Sequence, residues 1–448
     1  MDHFDYHDGR LQCESADLAT LAGLAGTPTY VYSGATFQDH YDRLASAFAE
    51  LSPLICFSVK ACSNLHVLRL LAARGAGMDV VSGGELFRAR RAQVPGARIV
   101  FAGVGKTDQE IREALGAPAG DDAEPEEPIG LFNVESEAEF QTLASICSAV
   151  RASPAPRAAL RVNPDVDPGT HHYIATGKAQ TKFGVDLDRA RAFFRRFGRE
   201  RCVRLTGLHL HLGSHITDLG VYERALDKTL GLMTDLEAEG YPIETLDLGG
   251  GFAAAYRTGS APTAADYARV IVPRLRERTS AGLRLILEPG RTIAANAGVL
   301  LTRVLYVKES GGRKFVVCDA GMHTLIRPAL YDAFHFIWPV AVSPDHVPPG
   351  REARPDVRGW LEPCDVVGPV CESGDFLAKD RPLPPVARGD LLAVFGAGAY
   401  GMSMASRYNS HPLPAEVLVD GDLATLVRRR ESYGHLVELE EPAEELGL

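Results

Sequence analysis

Four short stretches of this 448-residue chain hold residues that could do more than pack. Lys60 closes the apolar run PLICFSVK (53–60). A lysine there either reaches solvent or sits as a desolvated amine of lowered pKa, suited to forming a Schiff base. HLHLGSH (209–215) sets His209 and His211 two residues apart, on one face of a strand. Such a pair can bind a metal, but barrel hydrolases carry it on an early strand, with further ligands on later ones. Here it comes late, no further ligand is evident at later strand ends, and Gly213 and Ser214 follow at once. A flat imidazole stacked on an aromatic cofactor, with Ser214 helping to hold a phosphate, fits better, and no metal is expected. LDLGGGF (246–252) offers the backbone N–H groups of Gly249, Gly250 and Gly251 to an anion. LRLILEPGR (283–291) ends in Glu288, Pro289, Gly290 and Arg291, and Arg291 adds a charge to the same cradle. A carboxylate would repel phosphate, so Glu288 has a different role, facing a ring nitrogen and keeping it protonated.

Residues so far apart need a scaffold that collects them. Apolar runs at 53–60, 78–82, 98–103, 129–134, 158–163, 203–211, 244–250 and 283–290 alternate with helix-length amphipathic segments such as 64–75 and 136–152. Eight strands with helical crossovers give an α/β fold, the (β/α)8 barrel of TIM type, with an open doubly wound sheet as the alternative. In such a barrel, chemistry gathers at the C-terminal strand ends, and the phosphate site follows strands 7 and 8. GTPTYVYS (26–33) reads as an isolated strand before a helix at 36–50. From about Leu300 the pattern turns to short β-rich runs with Pro and Gly turns. The expected domains are an N-terminal segment, 1–34, joining the β domain; the barrel, 35–295; and a C-terminal β domain, 296–448. The acidic stretch 117–128 and the Pro-rich stretch 342–356 read as loops, and the acidic tail 438–448 as a frayed end.

The bulk properties narrow the class. A net charge of −11 and a pI near 5.7 argue against nucleic acid or an anionic membrane as partner. No apolar run reaches a membrane-spanning length, and the N-terminus MDHFDYHDGRLQ is neither signal nor transit peptide. Eight scattered cysteines without a CxxC pair suit a reducing, cytoplasmic setting.

The motifs together resemble those of the fold-III, pyridoxal-phosphate-dependent decarboxylases. The resemblance rests on FSVKA (57–61), DVVSGGEL (79–86), RVNPDVDPGTHHYIATGKAQTKFGV (161–185), HLGS, LDLGGGF, EPGR, RPALYDA (327–333), GPVCESGDF (368–376) and GAYGMSMASRYN (398–409), and runs from about residue 26 to about 420. It implies pyridoxal 5'-phosphate as cofactor and a homodimer whose active sites lie between subunits. It also implies a β domain that includes the N-terminal strand. Carried onto this sequence, it makes Lys60 the lysine that bonds the cofactor and His211 the ring-stacking histidine. Asp79, Ser214, Gly249, Gly250, Gly251, Pro289, Gly290, Arg291 and Tyr400 become cofactor contacts, and Glu288 the acid at the pyridine nitrogen. Cys371 becomes the proton donor contributed across the dimer, and Arg291, Arg327, Tyr331, Glu372 and Tyr400 the substrate contacts. His215 stands where the family more usually has Gln, and Ala253 and Ala254 follow GGGF where a further glycine is common.

The nearest branch removes CO2 from meso-diaminopimelate to give L-lysine. The far end of that substrate is an amino-acid head, and Arg327 with Glu372 would offer it both signs of charge. Ornithine and arginine are alternative substrates, but a diamine-forming enzyme acting on ornithine or lysine would need only an acid there. Carboxynorspermidine-type and carrier-bound substrates stay open, as do a non-catalytic regulator and a metal-dependent barrel hydrolase.

Overall fold

A computed structural model describes residues 2–117, 125–166, 182–257, 260–352 and 359–441. Most of the 161–185 motif, much of the acidic stretch, part of the Pro-rich stretch and the end of the tail lie outside them. The chain divides into two compact units, one of residues 38–254 and 262–293, the other of residues 1–37, 255–261 and 294–448.

In the first unit the eight expected strands form a closed barrel of parallel strands. They run Leu54–Ser58, Gly77–Val80, Ile99–Phe101, Leu131–Val134, Arg157–Asn163, Arg204–His209, Thr245–Asp247 and Arg284–Leu287, and the eighth pairs with the first. They are called barrel strands 1 to 8 below. Cys56, Val100, Leu131, Ala159 and Ile286 fill one core cluster. Each of these residues removes apolar area from water, worth about 25 cal/mol per Å².

The crossover helices begin where local chemistry starts them. Asn64, Ser136, Thr107 and Thr263 each accept a backbone N–H of the following first turn. At Thr107 and Thr263 an acid three residues on, Glu110 or Asp266, returns the bond to close a capping box. Helix Leu187–Phe197 buries Ala190, Phe193, Phe194 and Phe197, and Phe193 packs edge-on against Phe140 of helix Glu137–Val150 with centroids 5.5 Å apart. Near the ends of barrel strands 3 and 4, Lys106 is buried with Nζ 2.7 Å from Glu139 and donates to the carbonyls of Gly103 and Asn133.

The second unit is a mixed sheet built around the 13-residue strand Gly298–Ser310. Strand Thr29–Ser33 is not isolated. It lies inside this sheet, antiparallel to Gly298–Leu301 and parallel to Ala415–Val419, and is buried throughout. Residues before it, which carried no strand signal, form a small sheet of Phe4–His7, Arg10–Cys13 and Ala16–Asp17. Among the described residues no helix is long and apolar enough to cross a membrane.

Candidate active site

In the barrel unit, polar side chains converge where the strands end. Lys60 lies in the single turn after barrel strand 1, and its Nζ is 2.9 Å from Oδ2 of Asp79 on strand 2. Asp79 is fully buried, whereas a third of the lysine side chain stays accessible. Ser58 Oγ also reaches that aspartate oxygen, at 2.5 Å. Glu85, half-buried on the next helix, accepts the N–H of Val81; burial, with Asp79 nearby, lifts its carboxyl to about 7.

Deeper in, Glu288 and Asp247 share one amide. Asn133 Nδ2 donates to Asp247 Oδ2 at 2.9 Å and to Glu288 Oε1 at 3.2 Å. All three are buried. Burial, with Asp79 adding repulsion, pushes the Glu288 carboxyl to about 8. Burial and then Glu288 push Asp247 well above the usual carboxylate range. His209 Nε2 stands 3.5 Å from Glu288 Oε2, but burial lowers this histidine to about 4. It is therefore neutral near pH 7, and the contact is not an ion pair. Burial likewise holds His211 well below its usual value, with Arg161, Lys60 and His209 adding to the effect. His211 accepts a long contact from Gly250 N–H at Nδ1, 3.4 Å. Arg291 donates from Nη2 and Nε to Ser214 Oγ at 2.9 and 3.2 Å.

His209, His211 and Glu288 bring one ligand atom each within 4.8 Å of the others. This corrects the expectation that later strands bring no further ligand to the histidine pair: strand 8 brings Glu288. The triple glycine has a reason in packing. Gly249 and Gly251 take φ of +64° and +101°. A Cβ at Gly249 would lie 2.3 Å from the Leu210 carbonyl oxygen, at Gly250 2.5 Å from that of Glu288, and at Gly251 2.7 Å from Tyr222 Oη. The protein itself fills the space of the missing side chains, and Gly290 is pressed in the same way against Ser58.

The other expected site residues lie in the second unit. Cys371 is exposed on its loop and Sγ is 3.5 Å from Asn409 Oδ1. Glu372 accepts from Tyr408 Oη at 2.8 Å. Arg327 and Tyr331 open and close the short helix Arg327–Tyr331, and Tyr400 holds φ +56° in the loop after Gly398. Thus Lys60, Asp79, His211, Ser214, Gly249 to Gly251 and Glu288 to Arg291 belong to the barrel unit. Cys371, Glu372, Arg327, Tyr331 and Tyr400 belong to the other. Of the sequence departures, His215 takes φ +62°, and Ala253 and Ala254 are buried.

Sequence reasoning passed over Ser58, Asn133 and Asp247. Each is a polar residue at or near the end of an otherwise apolar barrel strand, and that oddity is the signal that was there to be read.

The barrel site fits a cofactor with an aromatic ring and an anionic tail. Among the described residues, Asp79 Oδ1, Asn133 Oδ1 and both ring nitrogens of His209 are buried and find no hydrogen-bond partner. Buried polar atoms are rarely left so, and Asp79 stands beside the Lys60 amine, 2.9 Å away. Residues 35–295 match the family model described as the pyridoxal-binding domain of the pyridoxal-dependent decarboxylases. The chain is 46% identical to a diaminopimelate decarboxylase of Pseudomonas aeruginosa, covering 97% of this chain and 98% of that one. It is 42% identical to that of Aquifex aeolicus, over 97% of each. The crystal structure of diaminopimelate decarboxylase from M. jannaschii in co-complex with L-lysine superposes with a TM-score of 0.87 at 34% identity, covering 99% of this chain and 98% of that one. The chain belongs to the pyridoxal-dependent decarboxylases and, within them, to the family of the diaminopimelate decarboxylases.

Proposed function

We propose that this protein removes CO2 from meso-diaminopimelate to leave L-lysine, using pyridoxal 5'-phosphate. The observation that carries this is a buried carboxyl, Glu288, kept from ionising near pH 7 by burial and by Asp79, the same aspartate that holds the partly accessible Lys60 amine at 2.9 Å. A cofactor carrying a ring cation supplies the missing charge. When bound, that cofactor's protonated ring takes up the electron pair left behind by CO2.

The chain's own residues do the rest. Lys60 would hold the cofactor through Nζ, and Asp79 keeps that amine in place at 2.9 Å. Glu288 holds the proton on the ring nitrogen, and Asn133 fixes the direction of the carboxyl through Oε1. A neutral His211 offers a flat face to the ring without repelling its positive charge. Arg291 and Ser214, already paired, hold the phosphate together with the N–H groups of Gly249 to Gly251 and Gly290, and with Pro289 and Tyr400. Arg327 and Glu372, with Tyr331, Arg291 and Tyr400, take the distal amino-acid head. Cys371, exposed on its loop, returns a proton to the substrate carbon. We further propose a homodimer in which Cys371 of one subunit serves the barrel of the other, and a cytoplasmic setting, with which the eight free cysteines agree.

The test is CO2 release by the cofactor-loaded protein from meso-diaminopimelate, L-lysine, L-ornithine and carboxynorspermidine in parallel. Release from the first alone, lost in Lys60→Ala, is expected. Release from one of the others in its place would overturn the substrate, and release that survives Lys60→Ala would overturn the site.

A further inference from the structure

Arg327 and His335 form an arrangement whose proton positions are forced by geometry. His335 is fully buried. Its Nδ1 lies 2.9 Å from the carbonyl oxygen of Phe395, and its Nε2 lies 3.0 Å from Nη1 of Arg327. A carbonyl oxygen only accepts hydrogen bonds and a guanidinium only donates them. The ring proton therefore sits on Nδ1, and Nε2 turns its lone pair toward the arginine. A second proton on the ring would put two cations 3.0 Å apart.

The surroundings hold this state. The backbone oxygen of His335 accepts from Arg381 Nη1 at 2.6 Å, so the residue is tied at ring and backbone alike. The Arg327 guanidinium also lies over the ring of Tyr256, 5.0 Å from its centroid, and Tyr256 meets the imidazole edge-on at 5.8 Å. Three further arginines stand among the neighbours, and one of them, Arg351, lies 3.7 Å from Asp2. Arg381 and Arg257 both lie over the Phe334 ring, at 4.1 and 5.3 Å, and Arg351 lies over Phe395 at 4.5 Å.

We propose that His335 is a positioning residue, which as a neutral imidazole orients Arg327 for the distal carboxylate of the substrate without itself cancelling the arginine's charge. This rests on the reading of Arg327 given above. A buried arginine is usually fixed by a carboxylate, but a carboxylate in the place of His335 would compete with the substrate's own for the same N–H donors. An imidazole lone pair and an aromatic face fix the direction of the guanidinium and leave its charge intact. The specificity for an amino-acid head over a bare ammonium thus depends on a residue that does not touch the substrate.

The experiment compares Arg327→Gln, His335→Phe, His335→Gln and His335→Glu in the cofactor-loaded enzyme. It reads KM and kcat for meso-diaminopimelate and the inhibition constants of L-lysine and of cadaverine, which lacks the carboxylate. Phe removes the lone pair, and loss of a hydrogen bond to a charged group corresponds to about a ten- to hundredfold rise in KM and in the L-lysine constant. In that variant kcat and the cadaverine constant stay within about threefold. Gln, whose amide can donate to Phe395 and accept from Arg327, restores KM to within about threefold, whereas Glu raises it by neutralising the arginine. An unchanged KM in Arg327→Gln overturns the substrate role of Arg327 and this inference with it. A raised KM there with none in His335→Phe overturns the inference alone. A parallel loss of kcat and of cadaverine binding in His335→Phe would mean a structural role only. Where the Phe variant does not fold, the Glu and Gln variants decide, and equal KM in the two overturns the proposal.

Discussion

At the residue scale, burial holds Glu288, Asp247, His209 and His211 away from their ordinary protonation ranges. Burial, and then Asp79, push the Glu288 carboxyl up to about 8, far above an exposed glutamate at about 4.3. A carboxyl whose folded value is raised binds more protons folded than unfolded. Its stabilising contribution is complete below about pH 4 and is lost as pH rises through 8. Cofactor-free protein is therefore expected to unfold at lower urea at about pH 9 than at about pH 6, and Glu288→Gln, which cannot ionise, to flatten that slope. An identical slope in the variant would remove Glu288 from the account. Lys60→Ala is expected to cost about a thousandfold or more in kcat, since the covalent hold on the cofactor is gone, and loss of the cofactor's visible absorbance checks the cause. Residue types at strand ends were legible in the sequence because Lys60, His211 and Glu288 interrupt apolar runs. Ser58, Asn133 and Asp247 interrupt such runs too, but a short polar side chain at a strand end is as common in a cap or turn, and only the closed barrel shows Ser58 meeting Asp79 and Asn133 meeting Asp247.

At the scale of elements, the glycine run shows how tightly the strand ends are packed. Gly249→Ala must take φ +64° and meet the Leu210 carbonyl, and it is expected to cost about 2–4 kcal/mol in urea unfolding. Gly240, which ends a helix at φ +85° with open space around it, is the control, at about 1 kcal/mol for Ala. Equal costs would mean that backbone conformation, not crowding, selects glycine at 249. Barrel strands were readable because each is a short apolar run between amphipathic segments, buried on both faces. Strands Glu362–Val367 and Phe376–Leu383 were not, since EPCDVV and FLAKDRPL mix proline and charge into half-exposed ladders. The small N-terminal sheet was hidden for the same reason: FDYH and RLQC alternate too briefly to register.

At the scale of the whole molecule, the proposed homodimer makes a prediction that neither unit makes alone. Lys60→Ala and Cys371→Ala homodimers should each be nearly inactive. Unfolding and refolding them together should recover about a quarter of native activity, because half the dimers are mixed and each of those carries one intact site. No recovery from mixed dimers of demonstrated composition would mean that each subunit completes its own site. The placing of strand Thr29–Ser33 has a further consequence, one of timing. Its neighbours in the sheet, Gly298–Leu301 and Ala415–Val419, leave the ribosome only after the entire barrel has been made. At roughly 5–20 residues per second, the strand waits about 20–80 s for the last of them, a bare β segment on a nascent chain. Until those strands arrive, its backbone N–H and C=O groups lack the sheet partners they have in the folded protein. A rearranged gene that encodes residues 1–37 after residue 441 would make the strand when its partners already exist, and should shorten the dependence on chaperones during synthesis.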